Sequence, residues 1–542
     1  MERSSGILMH ISSLPSKYGI GTFGKEAFEF VDFLKKGGQK YWQILPLGQT
    51  SYGDSPYQSF SAFAGNPYFI DFDILEEEGI LKKEDYANLD YGSDENRVDY
   101  AKLFVNRYKV LKIAFENSRK EDNEEFEKFK LENNFWLEDY SLYMAVKNHF
   151  NLVSWQEWDE DIRLRKKSAI KHYKELLKDE IEYWSYIQYL FFKQWNKLKK
   201  YANDNGIEII GDIPIYVAED SADVWSNPQY FNLDEDLLPK TVAGVPPDPF
   251  TSTGQLWGNP IYDWDYLDKD GYSWWIDRMR ESFKLYDVVR IDHFRGFESY
   301  YEVPYGNKTA EFGEWKKGPD IKLFKAIKES LGEINIIAED LGYMTDEVIE
   351  MREATGFPGM RILQFAFGDG DSHDLPHNYI ENCVAYTGTH DNETIMGWYN
   401  SVGEKERKKA IKYLNLTYEE GIAKGMLRGI WSSKAYLAIA TMQDLLSLGK
   451  EARMNIPSTL GGNWTWRVSK KDINDKLAEE LYEMTELYGR VNRFAVHNSK
   501  GKVTEEGPVE EESIHEEKPT VEKKKAAEEK KILKNKAQLS NK

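Results

Sequence analysis

Residues 288–296 read VVRIDHFRG. Two β-branched residues, Val288 and Val289, run into Arg290, Ile291, Asp292 and His293, which predicts a short buried strand ending abruptly in charged side chains. A carboxylate leaving a dry strand beside an arginine is held ionised and fixed in place, as a carboxylate that attacks carbon requires. Taken alone, the stretch also fits an Arg–Asp pair that only closes a strand.

Similar strand ends recur on both sides of it. Downstream lie INIIAED ending at Asp340, MRILQFAF ending at Phe367, CVAYTGTHD ending at Asp391, and an apolar run over 436–443. Upstream, strands are expected over 7–12, 41–47 and 207–211, the last running into Asp212. Between the first two, Ala27, Phe30, Val31 and Leu34 recur at the helical period over 25–36, and Gly37 and Gly38 stop the helix. Eight strand candidates separated by helical stretches predict an α/β fold, a (β/α)8 TIM barrel whose active residues gather at the C-terminal strand ends. A doubly wound open sheet is the alternative, but the first strand–helix turn, SSLPSKYGIGTFG, lacks the phosphate-binding fingerprint of that fold.

The barrel is expected to carry long inserted loops. GQTSYGDSPYQSFSAFAGNPY over 48–68 is far longer than an ordinary connection. Residues 212–264 form a second active-site loop region, in which the Pro and Gly of GVPPDPF and GQLWGNP predict no regular structure. From about 75 to 205 the chain is charged and helical, with amphipathic runs over 136–146 and 183–198, and reads as an inserted helical subdomain. Residues 1–495 are thus expected to be one catalytic unit, and 496–542 a charged tail, disordered or a lone helix.

Composition narrows the class of partner. At 542 residues, with 41% hydrophobic and 14% aromatic side chains, the body is a folded one. Its 16 Trp, 34 Tyr and 27 Phe supply ring faces that stack on sugars as well as a core. A net charge of −21 argues against nucleic acid, and the tail, with 11 Lys against 10 Glu, leaves −22 on the body. A neutral substrate fits that charge. The single cysteine, Cys383, excludes a disulfide framework and a thiolate zinc site. With no signal-like start and no run of 18 apolar residues, no membrane contact is expected and the chain reads as cytoplasmic. The oligomeric state is not readable.

Three acids, Asp292, Glu339 and Asp391, sit at expected strand ends four, five and seven, facing one bowl if the barrel closes. Glu339 leaves an apolar strand near other acids, which raises a carboxyl's pKa as a general acid needs. Asp391 lies between His390 and Asn392, both able to hydrogen-bond hydroxyls, although HDN also fits a side-chain-closed turn. One nucleophilic and one protonated carboxyl are the equipment for cleaving a glycosidic bond. A metal is the competing use of these acids with His293 and His390; there is no HExxH, the ligand count favours hydrogen bonding, and neither metal nor cofactor is expected.

From HISSLPS at His10 to about residue 494 the chain resembles the 4-α-glucanotransferases of glycoside hydrolase family 77, the amylomaltases or disproportionating enzymes. The motifs that carry the likeness are GDSPYQSFSAFAGNPY, GDIPIYVAEDSADVW, GVPPDPF with GQLWGNPIYDW, RIDHFRG, IIAEDLG, GTHDNET and EARMNIPSTLGGNWTWR. The resemblance implies transfer of an α-1,4-glucan segment to the 4-hydroxyl of another glucan or glucose, with retention. It implies Asp292 as nucleophile, Glu339 as acid/base and Asp391 as the group that stabilises the transition state, with Arg290, His293 and His390 around the reacting sugar. Tyr57, Asp212, Trp257 and Asn463 are implied as further sugar contacts. An α-amylase-type hydrolase shares the barrel and acids but ordinarily has a C-terminal β domain, for which the residues after Gln443 are too few and too helical. A non-catalytic glucan-binding protein is the remaining alternative.

Overall fold

Alternation along residues 288–292 builds the centre of the molecule. In the computed structural model, which describes residues 2–51, 53–119, 123–247 and 251–493, the strand Val288–Asp292 is one of eight parallel strands closed into a barrel. We number them β1 (Ser4–Leu8), β2 (Tyr41–Gln43), β3 (Glu208–Pro214), β4 (Val288–Asp292), β5 (Ile336–Ala338), β6 (Gly359–Ile362), β7 (Cys383–Tyr386) and β8 (Leu437–Thr441). Closure joins the first and last strands, with β1 paired to β8 from Ser4↔Leu437 to Leu8↔Thr441.

Successive side chains on a strand point to opposite faces. Val288, Ile210, Ile337, Met360, Val384 and Leu437 pack together inside the barrel, a dry cluster separate from the larger core under the helices. The same parity carries Arg290 and Asp292 of β4, Asp212 of β3 and Glu339 just past β5 into the barrel one or two steps higher. The lumen is therefore apolar at its base and charged at its mouth. Asp340, one residue out of phase with Glu339, is directed elsewhere: it accepts from the Met360 amide (2.6 Å) and faces Arg352 (3.3 Å) and Arg361 (3.6 Å).

The helix expected over 25–36 is Lys25–Lys36, stopped where Gly38 takes φ 68°. The expected amphipathic runs lie within the helices Asn134–His149 and Lys178–Asp204. Most strands are shorter than their expected runs, and β1, expected over 7–12, ends at Leu8. β2 ends at Gln43, β6 gives way to a 3-10 turn at Leu363–Phe367, and β7 ends at Tyr386, five residues before Asp391. Apolar character continued past these strands because the emerging loops are buried too. The β6–β7 connection holds, among the described residues, only 3-10 turns and no α-helix.

The expectation of no regular structure is corrected for GQLWGNP and for the first two residues of GVPPDPF. Thr241–Val245 and Gln255–Pro260 are antiparallel strands in a four-stranded sheet completed by Ser299–Pro304 and Glu314–Lys317. Pro260 closes its strand and Pro246 lies just outside one, where the missing N–H costs no ladder bond, and Gly254 and Gly258 supply the positive φ of the hairpin. No strand follows β8 among the described residues. The tail over 496–542 and part of GVPPDPF lie outside the described residues.

Candidate active site

Arg290 is the hub of the barrel mouth. Asp212 and Arg290 are direct partners across β3 and β4, both pointing inward, so a salt bridge forms without distortion. Nη1 of Arg290 donates to both Asp212 oxygens (2.8 and 2.6 Å), and Nη2 to Asp292 Oδ1 (3.0 Å). One buried cation thus holds two carboxylates, and burial's push against its charge is outweighed by Asp212 and Asp292.

Glu339 is pinned by backbone. Its Oε2 accepts from the His293 amide at 2.7 Å and its Oε1 from the Leu341 amide at 2.9 Å. His293 can turn its amide that way because it adopts a left-handed conformation, φ 53° and ψ 47°, which a residue with a Cβ adopts at a cost and which clusters at working sites. The amide that holds Glu339 directly follows Asp292 in the chain, so the two carboxyls lie side by side. Burial raises both carboxyls. Arg290 offsets part of this at both, but Asp292's own charge adds to burial at Glu339, where the two amides lower it only in part, so both stay raised and Glu339 further than Asp292. Asp292 therefore ionises first, and Glu339 keeps its proton well above the ordinary carboxylate range.

Asp391 is held in the opposite state. Burial works against its charge, but His390 (Nε2 to Oδ2, 3.3 Å), Asn455 (Nδ2 to Oδ1, 2.7 Å) and Arg290 outweigh it and bring its pKa down to about 2. His390, which burial would discharge, is raised in turn by Asp391. The turn is closed by Asn392, whose Oδ1 accepts from the Thr389 amide at 2.8 Å, so the turn and the acid coexist in one tripeptide.

The other expected contacts divide. Tyr57 stacks on His390 (centroids 5.1 Å, 17° between planes) and donates to Asp212 Oδ2 at 2.9 Å. Trp257 meets His293 edge-on at 4.7 Å. Asp212 is 0% exposed, with its oxygens taken up by Arg290 and Tyr57, so it acts on the mouth through those two side chains. Asn463 is not drawn into the cluster by any hydrogen bond: it accepts from the Ile456 amide (3.1 Å) and donates to Thr459 (3.0 and 3.1 Å), closing its own loop. His10, Arg453, Asn455 and Trp464 were not singled out from the sequence. Each lies inside a quoted motif, HISSLPS or EARMNIPSTLGGNWTWR, but nothing in their spacing marks them. Buried His10 accepts from the Leu45 amide (3.2 Å), and burial, helped by the charge of His390, lowers it to about 3. Trp464 lies 5.8 Å from His390 and 5.9 Å from Tyr57.

A carboxylate held by Arg290, a carboxyl beside it that keeps its proton longer and a third, firmly ionised acid are thus gathered at one bowl, rimmed by Tyr57, Trp257 and Trp464. Comparison with known proteins gives the family. The sequence profile described as 4-alpha-glucanotransferase, glycoside hydrolase family 77, matches residues 9–473. The chain is 59% identical over 486 residues to a 4-alpha-glucanotransferase of Clostridium butyricum, covering 89% of this chain and 100% of that one. It is 46% identical over 503 residues to a 4-alpha-glucanotransferase of Thermus thermophilus, covering 91% and 100%. Among solved structures, an amylomaltase from Streptococcus agalactiae in complex with acarbose superposes with a TM-score of 0.89 at 48% identity, covering 90% of this chain and 100% of that one.

Proposed function

The chain belongs to the 4-alpha-glucanotransferase family, glycosyltransferases acting on α-1,4-glucans, and from that premise we propose that Asp292, Glu339 and Asp391 carry the transfer by double displacement. The observation that supports this most directly is the bond from the His293 amide to Glu339 Oε2 at 2.7 Å, which sets the acid/base beside the nucleophile and a different fate for each proton.

Glu339 donates its proton to the glycosidic oxygen while a carboxylate oxygen of Asp292 bonds the anomeric carbon. The bond to the leaving glucan breaks, and the donor segment remains as a glycosyl ester. Retaining enzymes hold the two carboxyls about 5–5.5 Å apart for this step. The ionised Glu339 next takes the proton of an acceptor 4-hydroxyl, whose oxygen displaces Asp292 and restores the original configuration. Asp391, ionised and tied down, binds ring hydroxyls of the glucose as it flattens toward the oxocarbenium state. Arg290 favours the charged form of Asp292 against burial, and Tyr57 and Trp257 offer ring faces to sugar. The substrates are α-1,4-glucans and maltooligosaccharides, with residues 1–495 as the catalytic unit, including the helical insertion and the 212–264 loop region. No helix among the described residues is long and apolar enough to cross a membrane.

Incubation with maltotriose alone tests the reaction. A ladder of longer maltodextrins together with glucose is expected, and products only shorter than maltotriose would overturn transfer in favour of hydrolysis.

A further inference from the structure

The third acid has no strand to hold it. Asp391 lies five residues beyond the last ladder residue of β7, and its side chain is 41% exposed. Rotation about the bond to a carboxylate is broad and weakly restrained, so the plane of that carboxylate is set by its neighbours. His390 contacts Oδ2 at 3.3 Å, and Asn455, from the loop after β8, donates Nδ2 to Oδ1 at 2.7 Å. The loop is itself fastened to the same turn. The Asn455 amide donates to the His390 carbonyl (3.1 Å), while Arg453 donates from Nη2 to the Asp391 carbonyl (2.7 Å) and from Nε to the Asn455 carbonyl (2.8 Å). A Trp464 amide bond to the Met454 carbonyl (2.7 Å) closes the loop, so Asn455 cannot swing away freely.

We propose that Asn455 is a positioning residue for glycosyl transfer: its side-chain amide fixes the plane of the Asp391 carboxylate so that it meets the ring hydroxyls in the transition state. This rests on the reading of Asp391 given above. An interaction that strengthens as the sugar flattens acts on kcat rather than on substrate binding. Removing one hydrogen bond to a charged group then predicts a drop of about 10–100-fold in kcat, with KM moving less than about threefold.

Two variants test it, with turnover expressed per folded enzyme. Asn455→Ala should give that kcat-selective loss. Asn455→Asp keeps the shape but removes the donor, and only a protonated carboxyl there can replace it. Facing that position are the Asp391 carboxylate, protonatable His390, Arg453 with its partner Glu393 at 3.5 Å, and, across the mouth, Arg290 and Asp292. The Asn455→Asp enzyme should therefore recover activity relative to the parent as pH falls, moving its optimum to lower pH. Unchanged kcat in Asn455→Ala, a loss confined to KM, or an unshifted optimum in Asn455→Asp would each overturn the proposal. Asp391→Asn, run in parallel, separates the premise: if it retains full turnover, the role of Asp391 falls, whatever Asn455 does.

Discussion

At the scale of single residues, proton affinities divide the labour. Asp292→Asn is expected to abolish turnover, by about a thousandfold or more in kcat, with glucan binding retained in calorimetry; a pure binding protein would show no change. The same substitution removes the charge that raises Glu339, so Glu339 should titrate at lower pH in the variant, as carboxyl infrared or NMR titration can read. In the parent, activity should fall at low pH as Asp292 gains its proton and at high pH as Glu339 loses one, a bell in a kcat/KM–pH profile whose alkaline side is expected well above the ordinary carboxylate range. Buried His10 supplies a stability counterpart. Its folded pKa, about 3, lies below its unfolded value of about 6.5, so the unfolded chain takes up a proton that the folded chain refuses, and stability declines as pH falls from about 6.5 toward 3. His10→Asn should flatten that decline in a series of Tm measurements. Asp292 and Glu339 were legible as strand-end acids because apolar runs lead to them, whereas Asp391, five residues past its strand, stands out only beside His390 and Asn392. Asp212 and Asn463 were legible as polar residues in motifs but not in their work, since which partner occupies a side chain is decided by register and loop closure that no local pattern encodes.

At the scale of elements, period-two alternation is what turns a strand into part of a site. It puts Val288, Arg290 and Asp292 on one face and separates Glu339 from Asp340. That much follows from the sequence once the strand is accepted. The hairpin strands Thr241–Val245 and Gln255–Pro260 did not follow, because proline at a strand end and glycine at a turn look the same in sequence as proline and glycine in a loop. β3 offers a test of how tightly these elements are fitted. A Cβ on Gly211 would run into the ring of Tyr286, which is buried against the strand's outer face. Gly211→Ala should lower stability by about 1–3 kcal/mol, the range for overpacking. Because Asp212 is the next residue, it should also reduce kcat; a variant with unchanged melting and unchanged turnover would show that the strand yields there at no cost.

At the scale of the whole molecule, the barrel is a ring whose first and last strands meet. The seam is braced by two buried or half-buried arginines. Arg490 donates to the carbonyls of Ser4, Trp431, Ser433 and Ala435, and Arg3 to those of Trp431, Ser433 and Tyr488. Arg490→Leu takes this donor from the Ser4 and Ala435 carbonyls, leaves those of Trp431 and Ser433 to Arg3 alone, and should cost about 1–3 kcal/mol for each carbonyl left unsatisfied, visible as a lower urea midpoint. The closed ring was legible from eight strand ends in order. The arginine brace was not, because an arginine near a chain end reads as solvent-facing until the carbonyls around it are known.

The seam has a temporal meaning as well. Asp292, Glu339 and Asp391 all leave the ribosome before Leu437–Thr441, the segment that completes the ring. A nascent chain therefore carries every acid while its mouth is still an open sheet edge, and competence arrives with the last strand rather than with the last acid. A truncated polypeptide ending just short of Leu437 should be inert, and supplying 437–493 as a separate chain should switch it on.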